Sequence, residues 1–216
     1  MPEEWRGEVC VVREVTGEDL ALFQPRERER IASFPREKRR AEWAASRLAI
    51  KLLAVENGLC ADPLDCSVDS AYRRPSLSIG GRRHEREVSI THSSGAGAAA
   101  LSAGRIGIDL QKVRPLAERA TKFFLNDDEV EAWRSVPLAD SLIHFWCAKE
   151  AGYKLHAAPG WYRGVRVGLR EVRREGVILD YRDSRSEGTI RTARLRDGFI
   201  LALARMEQPL VAGGDA

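Results

Sequence analysis

No stretch of this chain approaches the ~20 consecutive apolar residues that a membrane helix requires. The opening Met1-Pro-Glu-Glu-Trp5 has neither a basic n-region nor an apolar h-region, so it is not read as a secretory signal. No membrane partner and a cytoplasmic location are the expectations. Cysteine is scarce as well. Cys10, Cys60, Cys66 and Cys147 show no CxxC spacing, and no histidine stands at zinc-finger distance from them, which argues against a zinc site. Reduced, structural thiols are expected. Excess charge is small, a formal +3, although basic residues bunch between Arg26 and Lys51. Such bunching fits an anionic partner, a phosphate-rich ligand or an acidic protein, and equally fits a solvated helix face. A nucleic-acid surface is disfavoured, because neither aromatic interleaving nor a recognition motif accompanies the arginines.

With 216 residues the chain can bury a core as one large domain or two of ordinary size. Glu8–Arg13 reads as a first strand, Glu18–Phe34 as a polar helix-prone stretch, and Arg36–Asn57 as a long helix that Gly58 stops. Its buried side is expected to hold Ala41, Ala44, Leu48, Leu52 and Leu53. Arg39, Arg40, Arg47 and Lys51 are expected on its exposed side, and Trp43, Arg47 and Lys51 form a ladder of four-residue steps. Residues 61–87 read as loop. Glu87–His92 and Ala96–Ser102 read as a hairpin across Ser93-Ser-Gly95, followed by a strand at Arg105–Leu110. Pro115–Phe124 reads as a helix, with a shorter one opened by Asn126-Asp-Asp. After Gly160 come strands at Val165–Leu169, Val177–Tyr181, Thr189–Ala193 and Phe199–Ala204, then a frayed tail over 207–216. In each half a long helix precedes short strands able to pair antiparallel. The expected fold is α+β: two similar subdomains, 1–104 and 105–206, with a ligand cleft between them.

Chemistry concentrates at Ser141–Leu155, read as a helix capped by Asp140 or Ser141. Leu142, Ile143, Trp146 and Cys147 make its apolar stripe, while Trp146, Glu150 and Lys154 stand four apart along one side. Alone, Glu150 and Lys154 read as well as a surface ion pair. Upstream, Asp109 sits near a strand end behind Gly107, where a glycine admits close approach. Were these elements to pack together, two carboxylates would converge beside Lys149 and Lys154. That is a donor set for magnesium, which binds one or two carboxylates and completes its shell with water and phosphate oxygens. From chemistry alone the class is metal-assisted attack on a phosphate; Asp109 as a plain turn former is the other reading.

Ile106-Gly-Ile-Asp-Leu-Gln111, then Lys122-Phe-Phe-Leu-Asn-Asp-Asp-Glu129, then Phe145-Trp-Cys-Ala-Lys-Glu-Ala-Gly-Tyr-Lys-Leu155 together resemble the 4′-phosphopantetheinyl transferases. The signature of that family is Gly-x-Asp, Phe-x-x-x-acid and Trp-x-x-Lys-Glu-Ala-x-x-x-Lys, in this order. The first half resembles the larger, Sfp-type members. Phe34-Pro-Arg-Glu-Lys38, Trp43-Ala-Ala-Ser-Arg47, Tyr72-Arg-Arg-Pro75 and Ser89-Ile-Thr-His-Ser93 carry that likeness. By motif order it covers residues 20–160. The resemblance implies a pseudo-dimer of two α+β halves, acting as a monomer. It also implies transfer of the phosphopantetheine arm of coenzyme A to a serine of an apo acyl or peptidyl carrier protein, with release of adenosine 3′,5′-bisphosphate.

By the same resemblance Asp109 and Glu150 are magnesium ligands, and Glu150 is a candidate base for the serine, a role that metal binding weakens. Lys154 holds a pyrophosphate oxygen. Arg47 and His92 grip the 3′-phosphate of coenzyme A, with Arg74 and Lys38 as helpers. For His92 a hydrogen-bonded core histidine is the other reading, and for Trp146 core packing is expected over substrate contact. Three departures stand out. Gln111 occupies a position where many Sfp-type members have a second acid, so the third metal position is a neutral amide or a water. Arg73-Arg74 replaces Gly-Lys. The acid after the phenylalanines is Asp128 or Glu129. A weakly active relative that grips coenzyme A or carriers is the alternative function.

Overall fold

Alanine and glycine at Ala96–Leu101 make a strand thin enough to be covered on both faces at once. Ala99 and Leu101 belong to one buried cluster, Ala96, Ala98 and Ala100 to another. That strand is β5 (Ala96–Ser102) of a five-stranded antiparallel sheet with β1 (Val9–Val12), β2 (Cys66–Asp69), β3 (Ser76–Ile79) and β4 (Arg82–Ser93). A second sheet holds β6 (Ile106–Lys112), β7 (Arg166–Arg173), β8 (Gly176–Arg182), β9 (Glu187–Leu195) and β10 (Phe199–Met206). The computed structural model describes residues 1–70, 74–156, 164–182 and 187–206. The expected tail 207–216, and Tyr72 and Arg73 of the Tyr72–Pro75 likeness, lie outside the described residues.

Strand order is β1-β5-β4-β3-β2 in one sheet and β6-β10-β9-β8-β7 in the other, the same path drawn twice. Each path carries one long helix between its first and second strands: α2 (Glu37–Glu56), preceded by α1 (Pro25–Ala32), in the first; α5 (Ser141–His156), preceded by the short α3 (Thr121–Phe124) and α4 (Asp127–Arg134), in the second. The α+β fold of two similar halves is therefore as expected, and the strand read ahead of the long helix in each half pairs beside that half's last strand. The sheets pack face to face through Ala98, Ile108, Leu201 and their neighbours, and each helix covers an outer face. Burial of Leu48, Ile50 and Leu53 on α2 contributes about 1.5–3 kcal/mol each.

Several local expectations change. Residues 61–87 hold β2, β3 and the start of β4, short and polar enough to read as loop. Pro115–Phe124 contains only a 3-10 turn at Glu118–Ala120 and the four-residue α3. On α2, Leu52 is exposed, whereas Arg47 and Lys51 are buried. The Lys51 ammonium reaches Glu27 on α1 at 2.9 Å and the carbonyls of Pro63 and Cys66, so a partner distant in sequence turns the ladder inward. The hairpin between β4 and β5 is as expected: Ser94 and Gly95 have φ of 50° and 87°, the pair of positive values that suits a two-residue turn.

Candidate active site

Two glycines let the helices down onto the sheets. A Cβ on Gly97 would lie 2.1 Å from the Ser46 nitrogen of α2, and one on Gly107 would lie 2.1 Å from the Ala151 oxygen of α5. The second approach carries the C-terminal part of α5 against β6. Asp109, Gln111, Glu150 and Lys154 thereby line one cleft of about 510 Å³ together with Arg39, Trp43 and Arg47 of α2 and Thr91 and His92 of β4. Asp109 and Glu150 share this cleft, so Asp109 is no mere turn former.

Asp109 is 2% exposed and its carboxylate is fully engaged. Oδ1 accepts from the Thr91 hydroxyl at 2.9 Å and the Lys154 ammonium at 2.7 Å, and Oδ2 accepts from the Gln111 amide at 2.7 Å. Beneath it the Cys147 thiol donates to the Asp109 carbonyl at 3.2 Å. Burial first, then the nearby Asp109 carboxylate, pushes that thiol well above its ordinary range, so it stays a neutral donor.

Thr91 belongs to a comb. Ser89, Thr91 and Ser93 alternate along one face of β4, and their hydroxyls accept the N–H groups of Ile108, Leu110 and Lys112. The free edge of β6 is thus satisfied by side chains of the other sheet. Ala99 and Ala202 both face their helices; Ala99 pairs with Cys10 and Ile90, Ala202 with Asp109 and Thr192. Matching them places Cys10 at the counterpart of Asp109, and Ala193 and Leu195 at those of Thr91 and Ser93.

In the same cleft Arg47 is buried, stacks on Trp43 with its guanidinium carbon 4.6 Å from the ring centroid, and donates to Ser46 and Ser70. Its Nε has no hydrogen-bond partner, and no carboxylate pairs with it among the described residues. Burial brings this guanidinium down to about 10; Glu27 opposes that and Arg39 adds to it. A buried cation in a cleft that pairs with no carboxylate among the described residues has the chemistry to accept an anion. Arg39 donates to His92 Nε2 at 2.9 Å, which leaves the ring proton on Nδ1, 3.4 Å from Glu42. Burial chiefly, with Arg39, Lys154 and Arg47 against Glu42, holds His92 below its ordinary range.

Three expected residues stand elsewhere. Lys38 is exposed and 3.9 Å from Glu42, outside the cleft lining. Arg74 lines a neighbouring pocket of about 200 Å³ with Glu87 and Tyr153, which shares Ile90 and Lys154 with the main cleft; it donates to Glu87 and the Leu155 carbonyl. Lys149, expected near the carboxylates, is fully buried and reaches both oxygens of Glu129 at 2.8 Å and the Val165 carbonyl. Burial draws its ammonium below the ordinary range while Glu129 opposes. Glu129 also accepts from Asn126, as the capping partner of α4, and from the Val167 N–H. Glu129 is therefore the buried acid after the phenylalanines, and Asp128 lies at the surface on Arg166. Trp146 packs edge-on against Phe124 with centroids 4.9 Å apart, as expected of core packing.

Sequence reasoning left Arg39 and Thr91 out of the site. The signals were present: Arg39, Trp43 and Arg47 are spaced by four, and hydroxyls at 89, 91 and 93 give one face of a strand a single chemistry.

Asp109, Glu150 and the Gln111 amide are hard oxygen groups of the kind magnesium takes, and phosphate oxygens and water ordinarily complete its shell. No group of three or more His, Cys, Asp or Glu able to hold a metal occurs among the described residues. No helix among the described residues is long and apolar enough to cross a membrane.

Residues 105–202, from the start of β6 into β10, match the family model of the 4′-phosphopantetheinyl transferase superfamily. That match supports phosphopantetheine transfer as the general class of activity. The chain matches no curated protein.

Proposed function

We propose that the protein is an Sfp-type 4′-phosphopantetheinyl transferase, moving the phosphopantetheine arm of coenzyme A to a serine of an apo acyl or peptidyl carrier protein. One observation supports the reading: a buried carboxylate, Asp109, and a buried arginine that pairs with no carboxylate among the described residues, Arg47, line one cleft together with Glu150 and Lys154. A ligand that carries a pyrophosphate and a separate phosphate offers an anionic group to each set of residues. Coenzyme A has both.

On this reading residues 1–104 hold the 3′-phosphate and residues 105–206 the reacting pyrophosphate. Arg47, Arg39 and His92 take the 3′-phosphate through charge-assisted bonds; Arg74 and Lys38 assist from the cleft's margins. Asp109 and Glu150, with Gln111 as a neutral third group, hold magnesium, which when bound neutralises charge on the phosphate oxygens. The carrier serine attacks the phosphorus bearing the pantetheine, and adenosine 3′,5′-bisphosphate leaves. Lys154 offers its ammonium to the leaving pyrophosphate oxygen. On this reading Glu150 takes the serine proton, directly or through water. The amide at Gln111 favours a second reading, a relative that binds coenzyme A or a carrier and transfers poorly.

Intact mass separates the two. Incubated with coenzyme A, magnesium and a panel of apo carriers, the protein is expected to add one phosphopantetheine arm to at least one carrier. Binding of coenzyme A without a mass gain on any of them selects the second reading.

A further inference from the structure

We propose that Lys154 is the cleft's resident counter-cation: without ligand its ammonium shields Asp109 from divalent ions, and it leaves that carboxylate when an anionic substrate enters. The proposal rests on the metal and pyrophosphate reading above. It begins from the occupancy of Asp109. Both oxygens of this nearly inaccessible carboxylate already accept from protein donors, Thr91 and Lys154 on Oδ1 and Gln111 on Oδ2. Thr91 cannot leave, because the same oxygen anchors the Leu110 N–H at 3.3 Å. Gln111 turns its amide nitrogen, not its oxygen, toward the carboxylate. Lys154 is the donor able to move: its side chain is 28% exposed, and besides Asp109 it holds only the Ile108 carbonyl, at 3.1 Å, among the described residues. Lys149, five residues back on the same helix, is fully buried and pinned by Glu129.

A divalent ion alone must therefore displace an ammonium already held by Asp109 and the Ile108 carbonyl. With a pyrophosphate in the cleft the ammonium gains a new anionic partner, so metal and ligand favour each other. Such coupling is reciprocal. A chain with Gln111 in place of an acid has fewer charges with which to attract the ion unaided, which makes this dependence stronger.

Calorimetric titration of magnesium chloride into the full chain, without coenzyme A, tests the idea. Lys154→Met and Lys154→Gln should each bind magnesium about tenfold more tightly than the parent, within the usual range of site coupling. Arg47→Met, which removes a cation of the same cleft that does not touch Asp109, should stay within about twofold, below that range. Unchanged or weaker magnesium binding in both Lys154 variants overturns the proposal and leaves the metal reading intact. An equal gain in Arg47→Met overturns it as well, since general charge would then be the cause. Absence of binding to the parent, both Lys154 variants and Gln111→Glu at millimolar magnesium overturns the proposal together with the metal reading.

Discussion

The hydroxyl of Thr91 donates to Asp109 Oδ1 at 2.9 Å while its oxygen accepts the Leu110 N–H. One side chain thus ties the orientation of the cleft carboxylate to the seam between the two halves. Thr91→Val keeps the shape and removes both contacts, leaving Leu110 without its acceptor. A loss of about 1–3 kcal/mol of stability is expected, with reduced transfer. Thr91→Ser should recover most of both. Urea unfolding and transfer rates of the two variants check this; equal behaviour of Val and Ser variants would count against it.

Arg47 separates stability from function. Its guanidinium is buried, pairs with no carboxylate among the described residues and has an orphan Nε, so removing it removes a desolvated charge. Arg47→Met is expected to keep or raise the urea midpoint, as replacement of buried charge by apolar groups often does. Coenzyme A binding should weaken by about 1.5–3 kcal/mol, the worth of hydrogen bonds to a charged group. Binding of dephospho-coenzyme A, which lacks the 3′-phosphate, should change little. A fall in midpoint, or equal losses for both ligands, contradicts the assignment.

Which parts of this were legible in the sequence follows from how local their causes are. The stripe on Ser141–His156, the hairpin turn at Ser94-Gly95 and the glycine that lets α5 approach β6 are short-range patterns, and each was readable. The burial of Arg47 and Lys51 was not. Spaced by four among other arginines, they look like a wet face, and partners distant in sequence turn them inward: Glu27 from α1 and the Pro63 and Cys66 carbonyls for Lys51, Ser70 from the loop after β2 for Arg47. Strands β2 and β3 hid for a related reason: four polar-rich residues each, supported by neighbours rather than by their own composition. Asp109 and Glu150 were expected together by resemblance, whereas the donors that saturate Asp109 come from two sheets and a helix, which no local spacing encodes.

Lys149 and Glu129 form a buried pair whose carboxylate also caps α4 and anchors β7. Removing either charge alone strands the other, so Glu129→Gln and Lys149→Met should each cost about 3–5 kcal/mol. The double variant should lose markedly less than the sum, a coupling that urea unfolding of all four proteins reads directly. Additive losses would mean that the two groups act independently.

His144 sets an acid limit on stability. It lies against Thr192, with Asp140 and Arg194 nearby, and burial lowers its pKa from 6.5 to about 4, Asp140 opposing and Arg194 reinforcing. The folded value is depressed, so the unfolded chain binds the proton first. This contribution is whole above about pH 6.5, declines as the pH falls toward about 4, and is then spent; it amounts to about 3 kcal/mol. His144→Gln should flatten the fall of the urea midpoint across that window. Parallel curves for parent and variant would refute the assignment.

Transfer itself remains the most direct test. In one reaction containing coenzyme A, magnesium and a responsive apo carrier, holo-carrier and adenosine 3′,5′-bisphosphate should appear in equal amounts. Both should vanish with Glu150→Gln, although that variant folds. If neither product forms with the parent protein on any carrier of a broad panel, or if Glu150→Gln forms both at the parent's rate, the central claim is wrong.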